Sequence, residues 1–347
     1  MGRKQTKTMT NETHNQRKSE KVLVTGGGGF LGRAIIKRLI DRRDQVHSLA
    51  RNYYADLEAM GVDQIQGDLA DAGVVAKACN SRDIVFHVAA KPPPWGDYAD
   101  YFKTNVTGTQ NVIESCLKYN VSRIVYTSTP SVVFNGKEIA GANESMPYPP
   151  KYCTHYSKTK AIAEQHVVKA AGNALRTVVL RPHQIWGPGD PHFAPRLIAR
   201  AKKLKQIGNG KNLVDTTYID NAADAHILAA DKLKENPQIS GKIYFLSQGE
   251  PIPAWEMINS ILNAAGYEPV TGKIPFRIAW LIGAILEFFY NTFRFSGEPQ
   301  MTRFLAEAVA HSHWFDISAA KQDLGYKPEV STAEGLKKLK AWFKANI

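Results

Sequence analysis

A chain of 347 residues that is 44% hydrophobic and 22% charged can bury a full core, which excludes a disordered protein and suits one large domain or two unequal lobes. The net charge of +12 raises the question of an anionic partner, but residues 1–21 hold six basic residues against Glu12 and Glu20 with no interleaved aromatics. A solvated tail is expected there rather than a nucleic-acid arm, and attraction to anionic lipid stays open.

Residues 1–19 are polar and aperiodic and read as a disordered basic extension. The organising stretch follows. Lys21 to Thr25 favour β structure, and the chain then turns through Gly26-Gly27-Gly28-Gly29 into helical apolar spacing that runs to Ile40. Gly26, Gly29 and Gly32 fall at a G-x-x-G-x-x-G spacing that permits a tight turn and close approach of a pyrophosphate. The anion would sit on the helix N-terminus, so Gly26, Gly29, Phe30, Leu31 and Gly32 are the candidate dinucleotide cradle.

Residues 45–50 form a second short strand ending at Arg51. An acid at that point binds a ribose 2′-hydroxyl, whereas an arginine suits a 2′-phosphate; with no acid there, Arg51 points to NADP(H) in preference to NAD(H), with Arg33 as support. The rival reading is an exposed arginine at a strand end. Strands over 62–66 and 83–90 follow, and their alternation with helical patterns implies a parallel sheet. Asp68 either accepts from an adenine amino group or caps a helix beginning near Ala70. The loop from Lys91 to Gly96 is rich in proline and lies past a strand's C-terminal end; Trp95 in it is a substrate wall or a hydrophobic latch.

A helix is expected over 98–119, with Asn105 at an interior position that asparagine disfavours. Residues 122–128 form the fifth strand and deliver Ser128 and Thr129 to the sheet's active edge. After a glycine- and proline-containing loop, a helix over 154–170 carries Tyr156 and Lys160, four apart and hence on one face. An ammonium beside a phenol favours phenolate and would bring its pKa down from roughly 10. Such a tyrosine can exchange a proton with a carbonyl or alcohol oxygen while hydride moves on carbon.

These motifs, in this order, resemble the extended short-chain dehydrogenase/reductases: Thr25 to Gly32, Gly67-Asp68-Leu69, His87-Val88-Ala89-Ala90, Asn105-Val106-x-Gly108-Thr109, Tyr126-Thr127-Ser128-Thr129, Tyr156-x-x-x-Lys160 and Arg181-Pro182 with Trp186-Gly187-Pro188-Gly189. The resemblance covers about residues 21–345. It implies a Rossmann-type doubly wound α/β fold with a smaller, mostly helical substrate cap, and Tyr156 as general acid/base. Lys160 would bind the nicotinamide ribose and lower the tyrosine pKa, Thr129 with adjacent Ser128 would hold the substrate oxygen, and Asn105 would support a proton-relay water. The cofactor would also meet Asp68, Leu69, Ala89 and Pro182. Within the family, residues 131–136, 181–190 and 212–221 are most similar to the 3β-hydroxysteroid dehydrogenase-like branch and, inside it, to 2-alkyl-3-oxoalkanoate reductases of bacterial long-chain olefin biosynthesis. Trp186 replaces a tyrosine frequent in nucleotide-sugar relatives, which tilts the reading away from a sugar, and it is itself a candidate substrate contact with Trp95, His183 and Arg303.

The expected organisation is a dinucleotide-binding domain over 20–190, rejoined by 215–247, and a cap from 191–214 and 248–347. The cap opens with a basic helix over 195–206. His183 and His192 either meet substrate or are hydrogen-bonded structural residues. His311 and His313 have no third ligand nearby, so no metal is expected. Residues 274–290 are the most apolar run, too short between Arg277 and Glu287 to span a bilayer; a buried cap helix is the first reading, a greasy substrate wall the second and a surface helix touching membrane the third.

Cys79, Cys116 and Cys153 are widely spaced, with no C-x-x-C pair, and the N-terminus lacks a signal-peptide core, so reduced thiols in a cytoplasmic protein are expected. The function expected is NADPH-dependent reduction of a hydrophobic 2-alkyl-3-oxo acid to the 3-hydroxy acid, with Lys91, His183 and Arg303 as candidate cations for the carboxylate. The alternatives are an NAD-dependent 3β-hydroxysteroid or sterol-4-carboxylate dehydrogenase, a nucleotide-sugar epimerase or dehydratase, and a non-catalytic dinucleotide-sensing protein. A homodimer is expected from the resemblance alone.

Overall fold

Strands and helices alternate from the first described residues. The computed structural model describes residues 18–92 and 95–346, so the basic extension falls outside it up to residue 17, as do Pro93 and Pro94. The elements begin β1 (Lys21–Thr25), α1 (Phe30–Asp41), β2 (Gln45–Ala50), α2 (Ala55–Ala59), β3 (Asp63–Gln66), α3 (Ala72–Cys79) and β4 (Ile84–His87). Helix α4 (Tyr98–Tyr101) passes through a π-helical turn (Phe102–Thr107) into α5 (Gly108–Lys118). Then come β5 (Arg123–Thr127), β6 (Ile139–Ala142), α6 (His155–Lys169) and β7 (Arg176–Pro182). The later half holds β8 (Ile185–Trp186), α7 (Phe193–Arg200), β9 (Gln206–Ile207), β10 (Leu213–Val214), β11 (Thr217–Tyr218), α8 (Ile219–Glu235), β12 (Ile243–Leu246), β13 (Ile252–Pro253) and α9 (Ala254–Ala264). It ends with β14 (Lys273–Ile274), α10 (Phe276–Phe293), α11 (Arg303–Ala310), β15 (His313–Phe315) and α12 (Thr332–Asn346).

Seven strands make one sheet in the order β12-β7-β5-β4-β1-β2-β3, every pair parallel. Parallel strands are covered on both faces and so carry near-continuous apolar sequence. One face packs on Ile35, Ile36, Ala222 and Ala229 of α1 and α8, the other on Val75, Val112 and Val167 of α3, α5 and α6. A third cluster joins Trp255, Leu262, Ala279 and Ala306 of α9, α10 and α11. From β1 the chain winds out to β3 and returns to β4 on the opposite side of β1. Ligands of open α/β sheets sit at that switch, beyond the carboxyl ends of the strands.

The doubly wound sheet is the expected fold. Four further strands, β13-β10-β15-β6, form a second sheet, and β11-β8 and β14-β9 form two short ladders. These join stretches from about 30 to about 170 residues apart, as in Thr217 opposite Ile185 and His313 opposite Ile139, and no local pattern announces them. Two local expectations need correction. The helix after Asp68 starts at Ala72, and Asp71 is its cap, accepting from the Gly73 and Val74 N–H groups at 2.9 and 3.2 Å. The apolar run is not a buried helix: only Ala279, Gly283 and Glu287 of α10 are buried.

Beneath the sheet's active edge, α6 is bolted to β7 by a fully buried ion pair. Arg181 Nε donates to Glu164 Oε2 at 3.0 Å, and the Tyr148 hydroxyl donates to Glu164 Oε1 at 2.7 Å.

Candidate active site

The glycine turn is built as a cradle. Gly26 has φ +72°, and a Cβ there would stand 2.9 Å from the Ala89 backbone; a Cβ on Gly32 would stand 2.2 Å from the Gly26 carbonyl oxygen. Both positions need glycine, the first for its conformation and the second so that α1 can pack on the turn. Gly29 is the cap of α1 and supplies no side-chain acceptor, so the helix N-terminus keeps its N–H groups for an anion. Ala89 lies against Gly26, and Leu69 packs on Gly108 where a Cβ would be 2.7 Å away. The residues present therefore fit a dinucleotide.

Arg51 stands exposed just past β2; the Asp68 carboxyl nearby is held below its usual range by the Ala70 N–H and by Lys103, with the least pull from Arg51. Asp68 Oδ1 accepts the Ala70 N–H at 3.0 Å and Oδ2 pairs with Lys103 at 3.0 Å. Arg33 is engaged elsewhere: its Nε binds Asp56 at 2.7 Å and its guanidinium lies over the Tyr54 ring at 4.8 Å. Of the two arginines expected at the ribose, Arg51 is the one with no ion pair among the described residues.

Tyr156 and Lys160 rise from the first turns of α6, which begins with a capping box between Thr154 and Ser157. Burial pushes the Tyr156 phenol up to about 12, with the neighbouring Thr129 hydroxyl pulling the other way. Burial also brings the Lys160 ammonium down to about 7, against the pull of Glu164. The expectation that Lys160 lowers the phenol is corrected here. Lys160 Nζ donates to the Tyr126 hydroxyl and the Thr127 carbonyl, both at 2.7 Å, and to neither atom of Tyr156. Beside Tyr126 stands Thr109, whose hydroxyl donates to the Asn105 carbonyl at 2.6 Å. A chain of polar groups thus runs from Lys160 to Asn105, through a tyrosine to which sequence reasoning gave no role.

Asn105 lies in the π-helical turn, a distortion frequent at functional sites. Its side chain is buried, accepting the Lys91 N–H at 2.8 Å and donating to Thr159 at 3.1 Å, so it ties the loop after β4 to α6. Ser128 Oγ is buried with no partner among the described residues, at the end of β5 and beside Thr129. Pro182 closes β7 at the same edge. His87 joins the two halves below: its Nδ1 meets Thr25 at 2.7 Å and its Nε2 meets Thr109 at 2.9 Å. Because the Thr109 proton goes to Asn105, His87 Nε2 must be the donor in that contact and Nδ1 the acceptor.

A cleft of about 1210 Å³ opens beside this edge, between the loop 95–101, the segment 150–158 and the C-terminal turn of α10 with residues 294–304. Tyr101, 6.3 Å from the Tyr156 ring, belongs to its wall. Trp95 lines it and meets the Tyr290 ring edge-on at 6.2 Å, so wall and latch are one contact. The remaining substrate candidates divide. Arg303 lines the cleft but is paired with Glu287 at 2.6 Å. Lys91 is paired with Asp100 at 2.6 Å. His183 is buried, bound by Asp215 at 2.5 Å and by His313 at 3.1 Å, away from the cleft. Trp186 is corrected outright: it is fully buried, its Nε1 donates to Thr216 at 2.9 Å and its ring packs on Tyr218, so it builds the core. Tyr101, Tyr290, Phe295 and Phe304 were missed; the apolar run pointed to the second, and nothing local pointed to the others.

A family model, the 3-beta hydroxysteroid dehydrogenase/isomerase family, matches residues 23–276. The chain belongs to this family. It is an NAD(P)-dependent oxidoreductase acting on CH–OH and C=O groups. Among its relatives, the 2-alkyl-3-oxoalkanoate reductase of Shewanella oneidensis is 49% identical over 328 residues, covering 92% of this chain and 85% of that protein. The enzyme of the same name from Stenotrophomonas maltophilia is 48% identical over 326 residues, covering 92% and 98%. UDP-glucuronic acid 4-epimerase from Bacillus cereus, solved in complex with NAD, superposes with a TM-score of 0.71 at 22% identity, over 94% of this chain and 99% of that one, a likeness of fold. Among the described residues no cluster could hold a metal, and no helix is long and apolar enough to cross a membrane.

Proposed function

We propose that the protein reduces the 3-oxo group of a hydrophobic 2-alkyl-3-oxo acid to the 3-hydroxy acid with NADPH. The observation that carries this is Tyr156, beside Thr129 and with its ring 6.3 Å from the ring of Tyr101, which walls a large cleft together with Trp95 and Tyr290. Two relatives near half identity carry the name of this reaction.

The cradle from Gly26 to Gly32 would hold the pyrophosphate and Arg51 the 2′-phosphate. When bound, NADPH supplies hydride to the carbonyl carbon. A phenol held up to about 12 stays protonated at neutral pH. It can therefore give its proton to an oxygen becoming alkoxide, the direction a reductase needs. Thr129 orients that oxygen. Lys151 and Lys158, on the cleft wall with no carboxylate partner among the described residues, would meet the substrate carboxylate in place of Lys91, His183 and Arg303. The aromatic walls exclude water and take the alkyl chains.

The test is one panel with purified protein: NADPH or NADH against a 2-alkyl-3-oxo acid, a sterol 4-carboxylate and UDP-sugars. The 2-alkyl-3-oxo acid with NADPH should turn over fastest. Tyr156→Phe should lower kcat by roughly 10²–10⁴-fold with dinucleotide affinity kept. Preferred turnover of a sterol carboxylate or a UDP-sugar, or a fully active phenylalanine variant, would refute the proposal.

A further inference from the structure

Helix α10 is built inside out. Its buried stripe is Ala279, Gly283 and Glu287, spaced by four; Gly283 lies so close to α11 that a Cβ would stand 2.6 Å from the Thr302 backbone. Glu287 accepts the Arg303 N–H at 2.7 Å. The outward face is Ile278, Leu281, Ile282, Ile285, Phe288 and Phe289, with Leu281 56% and Phe288 63% exposed. A helix packed on a water-soluble domain shows the opposite arrangement. From Ile278 to Phe289 this makes an uninterrupted apolar strip about 17 Å long, extended to about 23 Å by Phe293 at the end of the helix.

We propose that the protein docks on anionic lipid bilayers through this face of α10, so that the cleft takes its apolar substrate from the membrane, a source of substrate that rests on the proposed function. The charges choose the occupant. Past Arg277 no charged residue stands on the outward face, and the ends of the helix carry exposed Lys273, Arg277 and Arg294, with Lys205 against Gly272. Apolar residues flanked by basic ones suit the interface of an anionic membrane, and the helix is not one that can span it. A second copy of the chain fits worse, because either two-fold arrangement of two such helices brings like charges together at their ends. The face is continuous with the site: Tyr290, Asn291 and Arg294, on the last turn, line the cleft. A helix lying in the headgroup region would thus set the cleft mouth at the acyl chains.

The test is flotation of the full-length protein, without substrate, on phosphatidylcholine vesicles with and without phosphatidylglycerol. Binding should require the anionic lipid and weaken in high salt. It should fall at least about tenfold in Leu281→Ser/Phe288→Ser and also in Lys273→Glu/Arg277→Glu, both melting as the parent does. The serine variant should reduce a short, water-soluble 3-oxo acid normally and a vesicle-borne long-chain one poorly. Docking is overturned if the parent protein does not float, if the variants float equally, or if sedimentation shows a dimer that the serine variant splits. Flotation with no turnover of any 3-oxo acid would instead overturn the substrate reading and support docking.

Discussion

Tyr156 and Lys160 lie one helical turn apart and yet serve different partners, the phenol facing Thr129 and the ammonium facing Tyr126 and the Thr127 carbonyl. Their shared helix face was legible from the spacing alone. The partner of Lys160 was not, because it comes from β5, and only the packed sheet brings that strand beneath α6. Trp186 shows the same limit: its residue type reads as a binding wall, while Thr216 and Tyr218 fix it in the core. Arg51 is the residue on which cofactor choice turns. Arg33 is tied to Asp56, so one substitution should suffice. Arg51→Asp is expected to weaken NADPH at least about tenfold relative to NADH, since it exchanges attraction for the 2′-phosphate for repulsion. Fluorescence titration with both dinucleotides reads this; an unchanged ratio would remove Arg51 from the site.

At the level of elements, the glycine turn and the alternating strands were open to reading because their signals are local: apolar runs of strand length, glycines at fixed intervals, a helical repeat after each turn. Helix α10 was legible as an apolar run but not in its orientation. With apolar residues on most of its faces, only the Ala279–Gly283–Glu287 stripe marks the packed side, and that stripe looks ordinary until α11 lies against it. Gly283 therefore decides how closely α10 and α11 approach. Gly283→Leu would push its side chain into the Thr302–Arg303 backbone and is expected to cost about 1–3 kcal/mol, with the cleft wall displaced. Thermal denaturation beside turnover checks this. A variant as stable and as active as the parent would show that the helices can part freely.

For the molecule as a whole, three buried histidines contribute to its response to acid, with His47 shifted the same way by burial. Burial brings His87 down to about 3, and His226 and His313 to about 4, from an ordinary 6.5. The unfolded chain binds protons first as pH falls below 6.5, so stability is complete above that point and is lost toward pH 4. The slope is up to about 1.4 kcal/mol per pH unit for each histidine. Urea unfolding near pH 7 and near pH 5 should show the loss, and His226→Gln should make it shallower; an equal slope would exclude His226 as a contributor.

The buried bolt between α6 and β7 has a consequence for descent. Glu164 and Arg181 each hold the other's charge where no water reaches. A lineage that alters one of them strands a bare ion in the interior at about 3–5 kcal/mol, a large share of what keeps a domain folded. The two codons are thus chained together, and drift at this spot must move both at once or stand still.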